Sequence, residues 1–75
     1  MATLYLRGDH ITLAQALKAA GLTGSGGQAK HLVREAQVTV NGVVSTQPGR
    51  KLVAGDRFGV VGGTEWTVRR GEEEG

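Results

Sequence analysis

One predicted helix carries a row of residues whose types and spacing suit the binding of an anion. Gly27, Lys30, His31 and Arg34 recur at i, i+3, i+4 and i+7, so they share one helix face. Lys30 and Arg34 are like charges four positions apart, a pairing that destabilises an isolated helix by about 0.2–0.5 kcal/mol. Such a face favours phosphate as its partner. An ordinary solvated helix face is the alternative interpretation.

Further groups able to contact a phosphate backbone lie in the turns beside this helix. Ser25 begins the helix, whose first N–H groups and positive dipole end bind phosphate readily, and Gln28 lies in its first turn. Arg50 and Lys51 form an adjacent basic pair after a Pro-Gly turn, and Asn41 occupies a hairpin tip. Helix capping explains Ser25, and turn formation explains Asn41, without any ligand.

Catalytic and metal-binding chemistry find little support in these residues. The chain has no cysteine, which excludes thiolate catalysis and Cys-based metal sites. His10 and His31 lack a third ligand at metal spacing, and no Ser/His/Asp set can be assembled. The Gly-rich stretch 24–28 lacks the Gly-Lys-Ser/Thr ending of a Walker A loop. We therefore expect no enzymatic activity, cofactor, metal or small-molecule substrate.

The charge distribution points to a polyanionic partner. The 75 residues carry a net charge of +2, but three of the seven acids are Glu72, Glu73 and Glu74. Residues 1–70 therefore hold nine basic and four acidic residues, a net charge of +5. With only one Phe, one Tyr and one Trp, recognition should rest on phosphate and sugar contacts rather than base stacking.

We expect a monomer in the cytoplasm that does not bind a membrane.

The order of elements predicts an α+β domain. Alternation over residues 3–7 predicts a short N-terminal strand. A capping box at Thr12 and Gln15 begins a first helix that ends at Gly21, and Ser25 with Gln28 forms a second box before the next helix. Two packed helices should therefore lie on a small curled sheet.

The second half of the sequence predicts antiparallel strands. Asn41-Gly42 between valine pairs is a strong hairpin pattern, and residues 57–61 and 64–68 should pair around Gly62-Gly63. We expect the sheet to be antiparallel throughout. The domain should span residues 1–70, fraying from Arg69 onwards, and 71–75 should form a disordered acidic tail.

Three blocks of sequence together resemble the S4 RNA-binding domain family. They are Ser-Gly-Gly-Gln-Ala-Lys-His-Leu-Val at 25–33, Val-Thr-Val-Asn-Gly at 38–42 and Arg-Lys-Leu-Val-Ala-Gly-Asp at 50–56. The resemblance, strongest to small stand-alone bacterial members, implies an αL motif that presents a basic surface to structured RNA, such as rRNA, tRNA or a ribosomal particle. Gly26 stands where many members carry arginine. Carried onto this sequence, the resemblance points to Gln28, Lys30, His31, Arg34, Asn41, Arg50 and Lys51. Together with Ser25 and Gly27 at the start of the helix, these are the residues that we predict to bind RNA.

Two other functions remain open from the residues alone. A protein–protein adaptor could use the same basic face on an acidic partner. A β-grasp sulfur carrier could share the Val-Asn-Gly and Gly-Asp patterns, but such carriers need a C-terminal Gly-Gly, and here Gly62-Gly63 is internal.

Overall fold

The fold consists of two helices and seven short strands. The computed structural model describes residues 2–71. The elements are β1 (Ala2–Leu6), β2 (Ile11–Thr12), α1 (Leu13–Ala19), α2 (Gly26–Arg34), β3 (Val38–Val40), β4 (Val43–Val44), β5 (Lys51–Leu52), β6 (Arg57–Val60) and β7 (Glu65–Arg70). The predicted α+β class is confirmed.

The main sheet is mixed rather than antiparallel throughout. Its strand order is β1-β7-β6-β3-β4, and β1 pairs with β7 in parallel, Leu4 lying opposite Val68. The β3–β4, β3–β6 and β6–β7 pairs are antiparallel, as predicted. Hairpins force the antiparallel direction of the β3–β4 and β6–β7 pairs, whereas β1 and β7 are joined by nearly the whole chain, which can cross over in either sense.

The end of β7 corrects the expectation of fraying from Arg69. Arg69 and Arg70 belong to β7 and lie opposite Tyr5 and Leu6 of β1. The parallel partner supplied by β1 therefore holds this segment in the sheet. Residues 72–75, which contain most of the predicted acidic tail, lie outside the described part of the chain.

Both ends of α1 have the predicted capping interactions. The Thr12 hydroxyl accepts from the Gln15 N–H at 3.2 Å, and the Gln15 carbonyl Oε1 accepts from the Thr12 N–H at 3.1 Å. At the other end Gly21 has φ +76°, and Leu22 N–H donates to the Leu17 carbonyl. This is a Schellman motif, which satisfies carbonyl groups that the helix leaves free.

The start of α2 differs in one bond from the predicted capping box. The Ser25 hydroxyl accepts from the Gln28 N–H at 3.2 Å, as expected for an N-cap. The Gln28 carbonyl Oε1, however, accepts from the N–H of Gly24 at 2.8 Å and not from Ser25. A side chain at position 24 would meet Oε1 at 3.1 Å, so glycine there permits the close approach.

The end of α2 is a second Schellman motif, formed without glycine. Ala36 and Gln37 donate to the carbonyls of Val33 and Leu32, and Ala36 adopts φ +60°. A left-handed conformation is strained for any residue with a Cβ. The helix therefore ends in a Schellman motif, but Ala36 occupies the left-handed position where glycine is usually found.

A small second sheet, which the sequence did not predict, ties the helices to the strands. β2 pairs with β5, with Ile11 opposite Leu52 and Thr12 opposite Lys51. The first two N–H groups of α1, from Leu13 and Ala14, donate to the carbonyls of Arg50 and Pro48. The segment before β5 thus caps α1.

One hydrophobic core joins the helices and the sheet. Phe58 is fully buried and stacks on Trp66, with ring centroids 6.4 Å apart. The other completely buried side chains come from both layers and are Leu13, Ala16, Leu17, Ala29, Val33, Val38, Leu52 and Val68. The core therefore fixes the orientation of both helices.

Replacing Ala36 by glycine should stabilise the protein. Glycine removes left-handed strain of about 1–2 kcal/mol but adds about 0.4–1 kcal/mol of unfolded-state entropy. We expect Ala36→Gly to raise the free energy of unfolding by about 0.5–1 kcal/mol. Urea denaturation followed by circular dichroism measures the change.

The matched control is Ala19→Gly at the exposed end of α1, where the backbone is helical. There glycine should lower the free energy of unfolding by up to about 1 kcal/mol. A decrease in both variants would contradict the assignment of strain to Ala36.

Candidate nucleic-acid interface

The nine residues predicted to bind RNA are all exposed to solvent. They belong to three separate parts of the fold. Six lie at the start or along the outer face of α2: Ser25, Gly27, Gln28, Lys30, His31 and Arg34. Arg50 and Lys51 lie at the start of α1, and Asn41 lies at the tip of the β3–β4 hairpin. We call the first six the α2 face.

A groove runs along part of the α2 face. Gly27, Gln28 and His31 line one side of this space of about 470 Å³. Leu22 and Leu32 contribute apolar surface to it. Three predicted residues are therefore brought together in one concave surface, with the amide of Gln28 and the imidazole of His31 as polar groups.

The first turn of α2 presents unoccupied backbone donors. Gly26 and Gly27 follow the N-cap directly, and no group in residues 2–71 accepts from their N–H groups. A Cβ at Gly26 would meet nothing within 4 Å, and one at Gly27 only the Ser25 hydroxyl at 3.9 Å. Neither has positive φ. The fold itself therefore does not require glycine here, and close approach by an external group is a sufficient reason for it.

The cations of the predicted site are not neutralised by any carboxylate within residues 2–71. Across the described range 2–71 the one ion pair joins Arg57 to Glu65, at 3.5 Å. Lys30, Arg34 and Lys51 have no carboxylate within salt-bridge distance among those residues. Their charge is therefore available to an anionic partner.

Arg50 and Lys51 are positioned by the backbone around them. The Arg50 carbonyl accepts from the Leu13 N–H at 2.8 Å, and Lys51 pairs with Thr12 across the small sheet. Leu52 is fully buried, so the alternation of β5 leaves Lys51 pointing outward. This basic pair is held at the start of α1.

Asn41 already has partners within the protein. Its Oδ1 accepts from the Arg57 N–H at 2.9 Å, and its Nδ2 donates to Asp56 Oδ1 at 3.2 Å. The Asp56 Oδ2 accepts in turn from the Val53 N–H. With φ +53°, Asn41 also shapes the hairpin turn. These bonds give Asn41 a structural role, and its contact with RNA stays a prediction.

The apolar and hydroxyl groups that complete the groove were not among the predicted site residues. Leu22, Thr23 and Leu32 line it, and Leu22 is 37% exposed. Leu22 follows the left-handed Gly21, the position where a Schellman motif commonly places an apolar residue. That pattern could have placed Leu22 against the end of α1, at the start of the turn that leads to α2.

Metal clusters and membrane-spanning helices are both absent from residues 2–71. In the described part of the chain no group of three His, Cys, Asp or Glu side chains could hold a metal ion. No helix among these residues is long and apolar enough to cross a membrane.

Two capped helices packed on a small mixed sheet, with an outer helix face of unpaired cations, define a small α+β domain suited to anionic ligands. The chain belongs to the S4 domain family, whose sequence model matches residues 4–69. The resemblance found in the three sequence blocks is thereby confirmed.

Two relatives cover most of the chain. The Escherichia coli (strain K12) protein named "Putative RNA-binding protein YbcJ" is 41% identical over 63 residues, which span 83% of this chain and 90% of that protein. The "Uncharacterized protein YbcJ" of Shigella flexneri is similar to the same extent.

Substitutions at Asn41 should separate its side-chain bonds from its backbone conformation. Asn41→Gly keeps the left-handed backbone but loses two hydrogen bonds, each worth about 0.5–1.5 kcal/mol. Asn41→Ala adds left-handed strain of about 1–2 kcal/mol. We expect the free energy of unfolding to fall in the order wild type, Asn41→Gly, Asn41→Ala, measured by urea denaturation.

A substitution of Thr39, which lies on β3 and makes none of these hydrogen bonds, is the control. It shows how much a change in the hairpin alone lowers the free energy of unfolding. If Asn41→Gly unfolded at the wild-type urea concentration, the structural role given to the amide would be wrong.

Proposed function

We propose that this protein binds structured RNA through the α2 face together with Arg50 and Lys51. The observation that carries the proposal is the set of unpaired cations on α2 beside free backbone N–H groups of the same helix. Lysine and arginine bind phosphate oxygens by charge, and N–H groups at a helix start bind them by geometry and dipole. The two kinds of donor lie on one side of one element.

Similarity to known proteins supports RNA as the polyanion. The chain belongs to the S4 domain family, and a relative of 41% identity carries the name of an RNA-binding protein. We infer the same ligand class for this protein. The proposed ligand is rRNA or tRNA, free or within a ribosomal particle, in the bacterial cytoplasm.

The protein acts in this proposal as a monomeric recognition module without catalysis. The α2 face offers cations, an imidazole and amide groups, and its Ser25 hydroxyl accepts a hydrogen bond from the Gln28 N–H as a helix cap. Phosphate contacts position a protein on RNA, and the shape of a folded RNA then selects where several such contacts form together.

Neutralising the basic surface should weaken RNA binding and reduce its dependence on salt. With about four phosphates contacted, log K should fall with log salt at a slope of about −3 to −4. We expect Lys30→Ala/Arg34→Ala/Lys51→Ala to flatten this slope by about 2 to 3. Fluorescence anisotropy with a labelled RNA hairpin, repeated at several salt concentrations, measures both quantities.

The control is a charge-preserving variant, Lys30→Arg/Arg34→Lys/Lys51→Arg, which should keep the wild-type slope. Absence of binding by folded wild-type protein at low salt would refute the proposal. It would favour an adaptor that binds an acidic protein, and complexes recovered from lysate would then resist RNase.

A substitution at Gly27 should make the protein more stable and bind RNA less well. Alanine is favoured over glycine in a helix by about 1 kcal/mol, and its Cβ has room within the protein. The same Cβ would obstruct a phosphate that approaches the N–H groups of Gly26 and Gly27. We therefore expect Gly27→Ala to raise the urea midpoint and lower RNA affinity in the anisotropy assay.

Ala19→Gly provides the opposite control, because it alters helix stability at a position away from the α2 face. It should lower stability and leave the affinity for a blunt RNA hairpin unchanged, because it removes neither a charge nor a side chain of the α2 face. The hairpin is chosen without unpaired ends, since Ala19 lines a separate groove between β1 and α1. Wild-type affinity in Gly27→Ala would argue against backbone contact at the start of α2.

A further inference from the structure

A second groove lies between β1 and α1, outside the surface described above. β1 is an edge strand, paired on one side with β7, and residues of β1, of the loop that follows it and of α1 line this groove. The polar and aromatic residues that line this groove are Tyr5, Arg7, His10, Gln15 and Lys18. It shares no lining residue with the groove on the α2 face.

Tyr5 is the one aromatic ring that the fold leaves largely outside the core. Leu4 and Leu6 of β1 are buried, so the alternation of the strand places Tyr5 on the opposite side, where it is 52% exposed. Phe58 is fully buried, and Trp66 packs against the core. An exposed tyrosine beside a groove offers a flat apolar surface that water solvates poorly.

The charges around Tyr5 all have the same sign. Arg7 and Lys18 line the groove with His10, and no acidic residue does. Asp9 occupies the adjoining loop without lining the groove. Between residues 2 and 71 neither Arg7 nor Lys18 has a carboxylate within salt-bridge distance. Two cations without a carboxylate partner in residues 2–71 therefore line the same groove as an exposed aromatic ring.

We propose that this groove binds a single-stranded nucleotide next to the folded part of the RNA, with the base stacked on Tyr5 and its phosphates held by Arg7 and Lys18. The inference rests on the proposed RNA-binding function and extends it. A nucleotide combines an aromatic face with negative charge a few ångströms away, and the groove offers the complementary pair of features. The chain has only one Phe, one Tyr and one Trp, but one exposed ring is enough to stack on one base.

The separation of the two grooves gives the RNA two kinds of contact. The α2 face binds phosphates of the folded region, while the Tyr5 groove selects RNA that also has an unpaired base within reach. Stacking is tolerant of base identity, so this second contact recognises single-stranded character rather than sequence.

The test compares two RNAs that share one hairpin, one blunt and one with four unpaired adenosines at each end. Wild-type protein should bind the extended RNA at least about fivefold more tightly than the blunt one. Tyr5→Leu, which keeps an apolar strand residue and every charge, should lose this preference while binding the blunt hairpin normally. Fluorescence anisotropy at constant salt gives both affinities.

Two further variants make the result specific to the ring and the charge. Tyr5→Phe retains the ring and should keep the preference for extended RNA. Lys18→Gln should reduce it. Thermal unfolding by circular dichroism establishes that each variant is folded.

The outcomes of these measurements distinguish the Tyr5 groove from the α2 face as binding surfaces. A wild-type preference that survives Tyr5→Leu, or equal binding of both RNAs by wild type, overturns the Tyr5 groove and leaves the α2 face as the binding surface. Weaker binding to both RNAs in Lys30→Ala/Arg34→Ala, with the extended-RNA preference lost in Tyr5→Leu and reduced in Lys18→Gln, supports both sites. Failure of wild type to bind either RNA overturns both proposals.

Discussion

The backbone donors at the start of α1 are satisfied by carbonyl groups from a distant segment. Leu13 and Ala14 donate to Arg50 and Pro48 at 2.8 and 3.0 Å. Leu13 is completely buried, and a buried donor without a partner costs about 1–3 kcal/mol. The helix layer can therefore keep its place on the core only when residues 48–50 close over the first turn of α1.

This closure also determines where the basic pair lies. β5 follows the capping carbonyls directly, Leu52 enters the core, and Lys51 remains outside. The backbone of Lys51 is thus ordered by folding rather than by the ligand. Ordering a side chain on binding costs about 0.5–1.5 kcal/mol, and a flexible loop would add the cost of its backbone. A cation on a paired strand avoids the additional entropy cost of ordering its backbone on binding.

Features encoded within a few residues could be predicted from the sequence, and features that join distant segments could not. The capping box of Thr12, the left-handed Gly21 and the Asn41-Gly42 hairpin all depend on neighbouring positions. The parallel β1–β7 pairing joins opposite ends of the chain, and strand alternation is compatible with either direction. In the same way, alternation put Tyr5 on the outer face, but only the fold brings Lys18 to the same groove. The spacing of α2 gave an exposed basic face, while the bonds that Asn41 makes to Asp56 required the tertiary structure.

The two helices differ in how well their sequences suit a helix, and the difference indicates where a ligand acts. α1 has a complete capping box and a glycine at its left-handed end. α2 has Gly26 and Gly27 in its first turn and the like charges of Lys30 and Arg34 one turn apart. Neither feature improves packing, because the glycines face open space and the charges have no carboxylate partner in residues 2–71. Residues that disfavour the local structure they adopt, and gain no compensating interaction within the protein, are expected at functional sites. On α2 the glycines and the like charges favour the same kind of partner, since free N–H groups and unpaired cations each bind phosphate.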